Sequence, residues 1–312
     1  MMLEQWLHQI LEGYTESELT DAYQQLSHRY RQSNYKPGFQ NEAEVKAYAA
    51  ARMPATVAAV TRTLKELPQA FLPTTVLDLG AGTGAASLGV LQHFPSIKNL
   101  TLVEQDGRAL ACAKTLIQLI KKDTQVKFIQ QSLCDYTDDK PIDLIILSYV
   151  LNELSIAEQQ AIIEKLMANQ SCYILILMPG TPVCFQQLLI LRKLAIEAGY
   201  FVAAPCPHQQ DCPMATASTD WCHFKVRLPR TRTHRLFKEA TLNFEDEKFC
   251  YLLLSKNAIS TNAARIVKNP LHRSGHSLFD VCEDGELKRV IIGRKHKSLY
   301  KTAVKLSWGD IF

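Results

Sequence analysis

Apolar residues recur at three- and four-residue spacing through "SELTDAYQQLSHRYRQ" (residues 17–32) and "NEAEVKAYAAARMPATVAAVTRTLKEL" (41–67). This predicts a helical region over residues 1–70, broken at "YKPGF". From Thr75 the texture changes. "TVLDLG", "NLTLVEQD", "VKFIQQS", "IDLIILSYV" and "SCYILILMPG" are short apolar runs rich in strand formers. Helical patterns separate them, at Gly84–His93, Gly107–Lys121, Ala157–Ala168 and Cys184–Ala198. Five strands alternating with such helices predict a parallel sheet covered on both faces, over residues 71–200. After Gly199 the alternation stops. Residues 201–312 hold a cysteine-bearing stretch, a basic segment, a strand "KFCYLLLSK" and a hairpin "SLFDVCEDGELKRVIIGRKH" that turns at Asp284-Gly285. This last part is expected to pack on the sheet as an elaboration.

The bulk numbers leave that picture standing. The chain has 312 residues, 47% of them apolar and 21% charged, which fits a folded globular protein. No apolar run approaches the ~18 residues of a membrane span. The start, "MMLEQWLHQILEGYTESELTDAY", carries acids and no early Lys or Arg, unlike a signal peptide or organelle presequence, so a cytoplasmic, membrane-free protein is expected. The net charge of +4 is unevenly spread. "HFKVRLPRTRTHRLFK" (223–238) has six Lys or Arg and no acid, and Arg265–Lys305 has ten against four acids. Both suit a polyanion, whose phosphates release counterions when neutralised.

The sharpest local signal is "VLDLGAGTGAAS". A strand ends in Asp78, and glycines follow at 80, 82 and 84 before a helix begins, so the backbone can turn tightly and approach a ligand. The spacing differs from the dinucleotide fingerprint, which wants two residues between its second and third glycines. Twenty residues past Gly84, Glu104 closes the next strand, where a carboxylate can accept both hydroxyls of a ribose. After the third strand, "QQSLCDY" offers Asp135 where an adenine amino group would sit. Over Thr75–Gly199 the chain resembles the class I S-adenosylmethionine-dependent methyltransferases, with their Rossmann-like fold. The resemblance implies that Gly80, Gly82 and Gly84 line the methionine part of the cofactor, Glu104 holds the ribose and Asp135 the adenine edge. At the fourth strand end, "LSYVLNELS" lacks the Asn/Asp-Pro-Pro-aromatic motif of exocyclic-amine enzymes and the cysteine of cytosine-C5 enzymes. Asn152 and Glu153 there can meet an acceptor or cap a helix. No catalytic residue is named.

Nine cysteines remain to be read. Cys112, Cys172 and Cys250 lie in apolar surroundings and read as small buried hydrophobes. In "APCPHQQDCPMATASTDWCHF" (204–224), Cys206, Cys212 and Cys222 follow C-x5-C-x9-C, flanked by prolines that stiffen the turn. Cys282, just before the hairpin turn, is a better fourth ligand than Cys250. The local chemistry leaves zinc, with His208 or His223 helping, and an iron–sulfur cluster both open.

"YAAARMPATVAAV", "VLDLGAGTGAAS", "DLIILSYVLNELS", "APCPHQQDC", "RSGHSLFDVCEDG" and "LYKTAVKLSWGD" occur in this order along nearly the whole chain. Together they resemble the methyltransferase-like assembly factors of the mitochondrial small ribosomal subunit and their bacterial relatives. The resemblance implies a [4Fe–4S] cluster on Cys206, Cys212, Cys222 and Cys282, and association with the small ribosomal subunit and its rRNA. The basic residues Lys225, Arg227, Arg230, Arg232 and Arg235, just past the third ligand, are the expected rRNA contacts. With no presequence, a bacterial-type, monomeric member is expected. The rival reading is an active methyltransferase of 16S-type rRNA. A radical enzyme is disfavoured by the missing CxxxCxxC triad.

Overall fold

The computed structural model describes residues 2–30, 38–120, 123–138, 140–169, 171–217, 219–259 and 263–312. Tyr35–Pro37 of the expected break, and Lys121 at the expected end of one helix, lie outside them. In chain order the elements are α1 (Met2–Leu11), α2 (Glu16–Tyr30), α3 (Glu42–Leu64), β1 (Thr75–Leu79), α4 (Ala85–His93), β2 (Asn99–Glu104), α5 (Gly107–Gln118), β3 (Gln125–Gln130) and β4 (Leu144–Ser148). Then follow α6 (Ile156–Ala168), β5 (Tyr173–Pro179), α7 (Pro182–Glu197), β6 (Phe201–Ala204), β7 (Phe224–Pro229), α8 (Arg232–Phe237), β8 (Phe244–Ser255), β9 (Arg265–Ile266), β10 (Leu271–Arg273), β11 (His276–Glu283), β12 (Glu286–Gly293) and α9 (Ser298–Ala303). Among the described residues no helix is long and apolar enough to cross a membrane.

The chain divides into two compact units. One is Met1–Leu154 with Val226–Glu247, the other Ser155–Lys225 with Lys248–Phe312. These limits differ from the expected boundaries near 70 and 200, for a packing reason. The alanine-rich face of α3 (Ala47, Ala49, Ala50, Ala51) is buried in one cluster with Leu88 of α4 and Leu116 of α5. The helical region is therefore part of the first unit's core, and each large aliphatic side chain buried there contributes about 1.5–3 kcal/mol.

In the first unit β3, β2, β1 and β4 are neighbours in that order, all parallel, with Asp78 of β1 level with Leu102 and Ile146. Asn41 and Asp106 cap α3 and α5 by accepting main-chain N–H bonds. In the second unit β5 and β6 each pair antiparallel with β8, so the sheet strands are not all parallel as expected. Ser155 and Glu158 form a reciprocal capping box on α6. The hairpin is β11–β12, paired from His276–Gly293 to Glu283–Glu286, and β10 and β9 pair with β11. Its core holds Ile266, Phe279, Val281, Ile292 and Ala303.

Candidate functional sites

β1 ends at Leu79 and the chain turns through Gly80, Gly82 and Gly84, all at positive φ. The three glycines have different duties. A Cβ on Gly80 would lie 2.7 Å from Val150 Cβ, so the turn tolerates only glycine there. A Cβ on Gly82 would meet nothing within 4 Å, because the space beside it is an open cleft. Gly84 begins α4 and packs on Ala113. It is not among the residues lining the cleft.

Asp78, Gly80, Gly82, Glu104, Tyr149 and Glu153 all line that cleft. Asp78 Oδ2 accepts bonds from Ser87 N (3.0 Å) and Ser87 Oγ (2.6 Å), while its buried Oδ1 has no partner among the described residues. Burial raises the carboxyl to a pKa of about 6 against the pull of Ser87. Glu104 accepts main-chain bonds from Gly82 (Oε2, 2.8 Å) and Asp106 (Oε1, 2.8 Å), which fix its carboxylate at the cleft and leave lone pairs for a ligand. Burial raises its pKa too. Burial, and then the charge of Glu104, raise Glu153 to about 7. Asp135 lies elsewhere, exposed on the turn after β3 and outside the cleft lining. The spare carboxylate oxygen, the open side of Gly82 and the acidic wall fit a cationic ligand with hydroxyls, as S-adenosylmethionine is.

Sequence reasoning missed the support behind Tyr149. This residue has φ 57, a left-handed conformation that is rare for an aromatic side chain. Tyr149 Oη donates to Glu247 Oε1 (3.0 Å), and Arg52 donates to both oxygens of Glu247 (3.0 and 3.3 Å). Burial works against the charge of Arg52, and the carboxylate outweighs it. No spacing rule links residues 52, 149 and 247, so nothing local in the sequence signals this group.

In the second unit Cys206, Cys212, Cys222 and Cys282 line one small cavity with Pro205, Pro207, Pro213, Met214, Val267 and Arg265. Cys250 is buried in β8, where its thiol donates to the carbonyl of Cys222 (3.3 Å), and it is not among the lining residues. Burial, and then the neighbouring sulfurs, raise Cys222 well above the ordinary thiol value and Cys282 to about 12. His208 Nε2 is 3.3 Å from Cys282 Sγ, whereas His223 bonds the Trp221 carbonyl and stacks on the Trp221 ring. As they stand, no three His, Cys, Asp or Glu side chains among the described residues are gathered tightly enough to hold an ion. The donor set of four sulfurs in an apolar wall nevertheless fits a soft metal or iron–sulfur group, and no carboxylate lines it to favour a hard cation. Cys172 is exposed just before β5, not buried as expected, because the strand's apolar run begins one residue later.

Residues 42–312 match the family model described as mitochondrial small ribosomal subunit Rsm22. The chain belongs to this family. It is 24% identical to the human mitochondrial ribosome assembly protein METTL17 over 93% of its own length and 66% of that protein's. It is 24% identical to Rsm22-cox11 tandem protein 2 of Schizosaccharomyces pombe, covering 76% of this chain and 38% of the yeast protein. The chain thus spans only part of both relatives. A solved magnesium protoporphyrin IX methyltransferase from Synechocystis PCC 6803 aligns at 14% identity and a TM-score of 0.45, over 78% of this chain and 99% of the other. The order β3-β2-β1-β4, with a glycine turn after β1 and an acid ending β2, gives this Rsm22-family chain the class I S-adenosylmethionine-dependent methyltransferase fold.

The basic segment of this family member is largely engaged internally. Arg227 forms a two-pronged pair with Asp246 (2.7 and 2.8 Å) and stacks 4.1 Å from the Phe244 ring centre. Arg230 bonds Glu245 (3.1 Å), Arg232 pairs with Glu16 (3.1 Å), and Lys225 Nζ lies 5.8 Å from the Trp308 ring centre. Arg235 is exposed. The run from 223 to 238 contains no acid, but the following strand supplies Glu245, Asp246 and Glu247.

Proposed function

We propose that this chain is an rRNA-binding, small-ribosomal-subunit-associated methyltransferase-like protein that aids subunit assembly or translation. In this reading it binds S-adenosylmethionine in the glycine-loop cleft and carries a [4Fe–4S] cluster on Cys206, Cys212, Cys222 and Cys282. The observation that carries the cofactor reading is Asp78 Oδ1, a buried carboxylate oxygen without a partner beside an open glycine turn. Family membership over residues 42–312 supports the ribosomal role. Glu104 would accept the ribose hydroxyls, and Asp78 and Glu153 would balance the ligand's positive charge. The cluster would tie the 206–222 loop to the β11–β12 hairpin.

Two measurements test this. Protein purified without oxygen is expected to absorb near ~400 nm and contain about four irons per chain. It is also expected to co-sediment with small subunits and to bind S-adenosylmethionine calorimetrically. A colourless protein with one zinc would replace the cluster by a mixed site, for which His208 beside Cys282 is the available nitrogen.

A second reading is an active 16S-type rRNA methyltransferase, favoured by Glu153, a carboxyl with a pKa of about 7 on the cleft wall just past β4. The cofactor supplies an electrophilic methyl group, and Glu153 would take the proton the acceptor loses. Labelled methyl incorporation into subunits, lost in Asp78→Ala, would favour it over the binding role.

A further inference from the structure

The two basic stretches of this chain differ in what surrounds them. From Leu287 to Gly309 there is no acid. Two of the cations there are engaged: Lys288 pairs with Glu283 (3.0 Å) and Arg289 with Asp280 (2.7 Å). The other five, Arg294, Lys295, Lys297, Lys301 and Lys305, are exposed and form no ion pair among the described residues. Lys301 lies on α9, with Lys297 just before it and Lys305 two residues past its end, a row of three lysines at four-residue spacing in the sequence. Tyr300 and Ala303 turn the opposite side of α9 into the hairpin core, which fixes the row to a folded base.

Five exposed cations close together in sequence with no acid among them repel one another, and bound anions would relieve that repulsion. The exposed apolar residues of α9 and its end, Leu299 and Val304, are about 140° apart around the axis, so they make no apolar face to enter a bilayer.

We propose that Arg294, Lys295, Lys297, Lys301 and Lys305 form a second RNA-binding surface, which takes the phosphate backbone of rRNA without reading its sequence. The proposal rests on the rRNA-binding reading above and moves the main phosphate contacts away from the internally paired Arg227 and Arg230. The row should contribute to binding mainly through counterion release.

The test is fluorescence anisotropy of a small-subunit rRNA fragment with the full chain, from 50 to 300 mM KCl. It compares wild type with the triple variant Lys297→Ser/Lys301→Ser/Lys305→Ser. The triple variant is expected to lose at least tenfold in affinity at 100 mM KCl, and its salt slope should fall by about two. Wild-type affinity and slope in a triple variant that unfolds at the wild-type temperature would overturn this surface and leave the rRNA reading intact. Absence of rRNA binding by wild type would remove both. If the triple variant fails to fold, Lys301→Ser alone should lower the slope by about 0.7, and an unchanged slope there would equally overturn the proposal. Binding of wild type to vesicles of phosphatidylcholine with 30% phosphatidylserine, stronger than to rRNA and lost in the variant, would assign the row to a membrane and also overturn it.

Discussion

The glycine-loop cleft and the cysteine cavity reach order by different routes. The cleft is assembled mostly by main chain: a strand, a turn that only glycine can make, a helix, and an acid held by two backbone N–H groups. The cavity gathers thiols from positions 206 to 282, and burial together with the neighbouring sulfurs raises the pKa of Cys212, Cys222 and Cys282. In the proposed cluster reading, a metal that binds thiolate would draw them closer and complete the site. One site follows from the fold, whereas the other would then be a condition for part of it.

The sharpest way to break this contrast is to remove one thiol of the proposed cluster. Cys212→Ser, purified without oxygen, is expected to lose its iron. The unfolding temperature of the second unit should fall by more than ~10 °C, since structural metal sites in small folds return about 10 kcal/mol or more. S-adenosylmethionine affinity should stay within about twofold. Iron analysis, differential scanning calorimetry and titration calorimetry report the three quantities. An unchanged melting temperature would make the cysteines passive. The next largest effect belongs to Gly80→Ala. Its Cβ would overlap Val150, and its φ of +72 is already unfavourable for alanine, so a loss of about 3 kcal/mol in denaturant unfolding is expected. A cost below 1 kcal/mol would show a softer turn than the geometry implies.

Much of the cleft was legible because its parts are close in sequence and each follows a local rule. The glycines, Asp78 and Glu104 were all found from strand ends and turn chemistry, and all but Gly84 line the cleft. Asp135 is not among the residues lining the cleft, and the length of a strand does not reveal the direction of the turn after it. The Arg52–Glu247–Tyr149 group was invisible, since it joins residues up to 195 apart with no motif between them. The antiparallel β8 was foreseen as a strand but not in its pairing, because an apolar run carries no direction. The ion pairs of the basic segment were hidden for a related reason. Charge counts along the chain cannot see that Glu245 and Asp246 return beside Arg230 and Arg227.

The carboxyls of the cleft give a smaller test, in pH. Asp78 and Glu153 have pKa values of about 6 and about 7 in the folded chain, above the ordinary range, chiefly because burial disfavours their charge. The folded state therefore holds more protons than the unfolded between pH 4 and 7, and unliganded stability should fall as pH rises through that window. Binding a cation has the opposite sign. It favours the carboxylates, releases protons, and should tighten by about tenfold from pH 5.5 to 7.5 before levelling off. Glu153→Gln should flatten the upper half of this curve. Titration calorimetry in buffers of different ionisation heat measures the protons released. None released at pH 6 would mean that the ligand does not meet these groups.

The smallest effect separates the two glycines that line the cleft. Gly82→Ala places a methyl where no atom lies within 4 Å, at φ +53, so its cost to stability should be that of a left-handed alanine, about 1–2 kcal/mol. That methyl points into the space a ligand must occupy, so affinity for S-adenosylmethionine should fall by about tenfold, or 1.4 kcal/mol. Gly199→Ala is the matched control. It has φ +82 and is equally open, but it lies in the second unit and outside the cleft lining, so it bears the same backbone cost with no reason to change binding. If both variants lowered affinity alike, the effect would come from lost stability, and the open side of Gly82 would have no part in holding a ligand. If only Gly82→Ala did so, the glycine turn would be a binding surface as well as a bend.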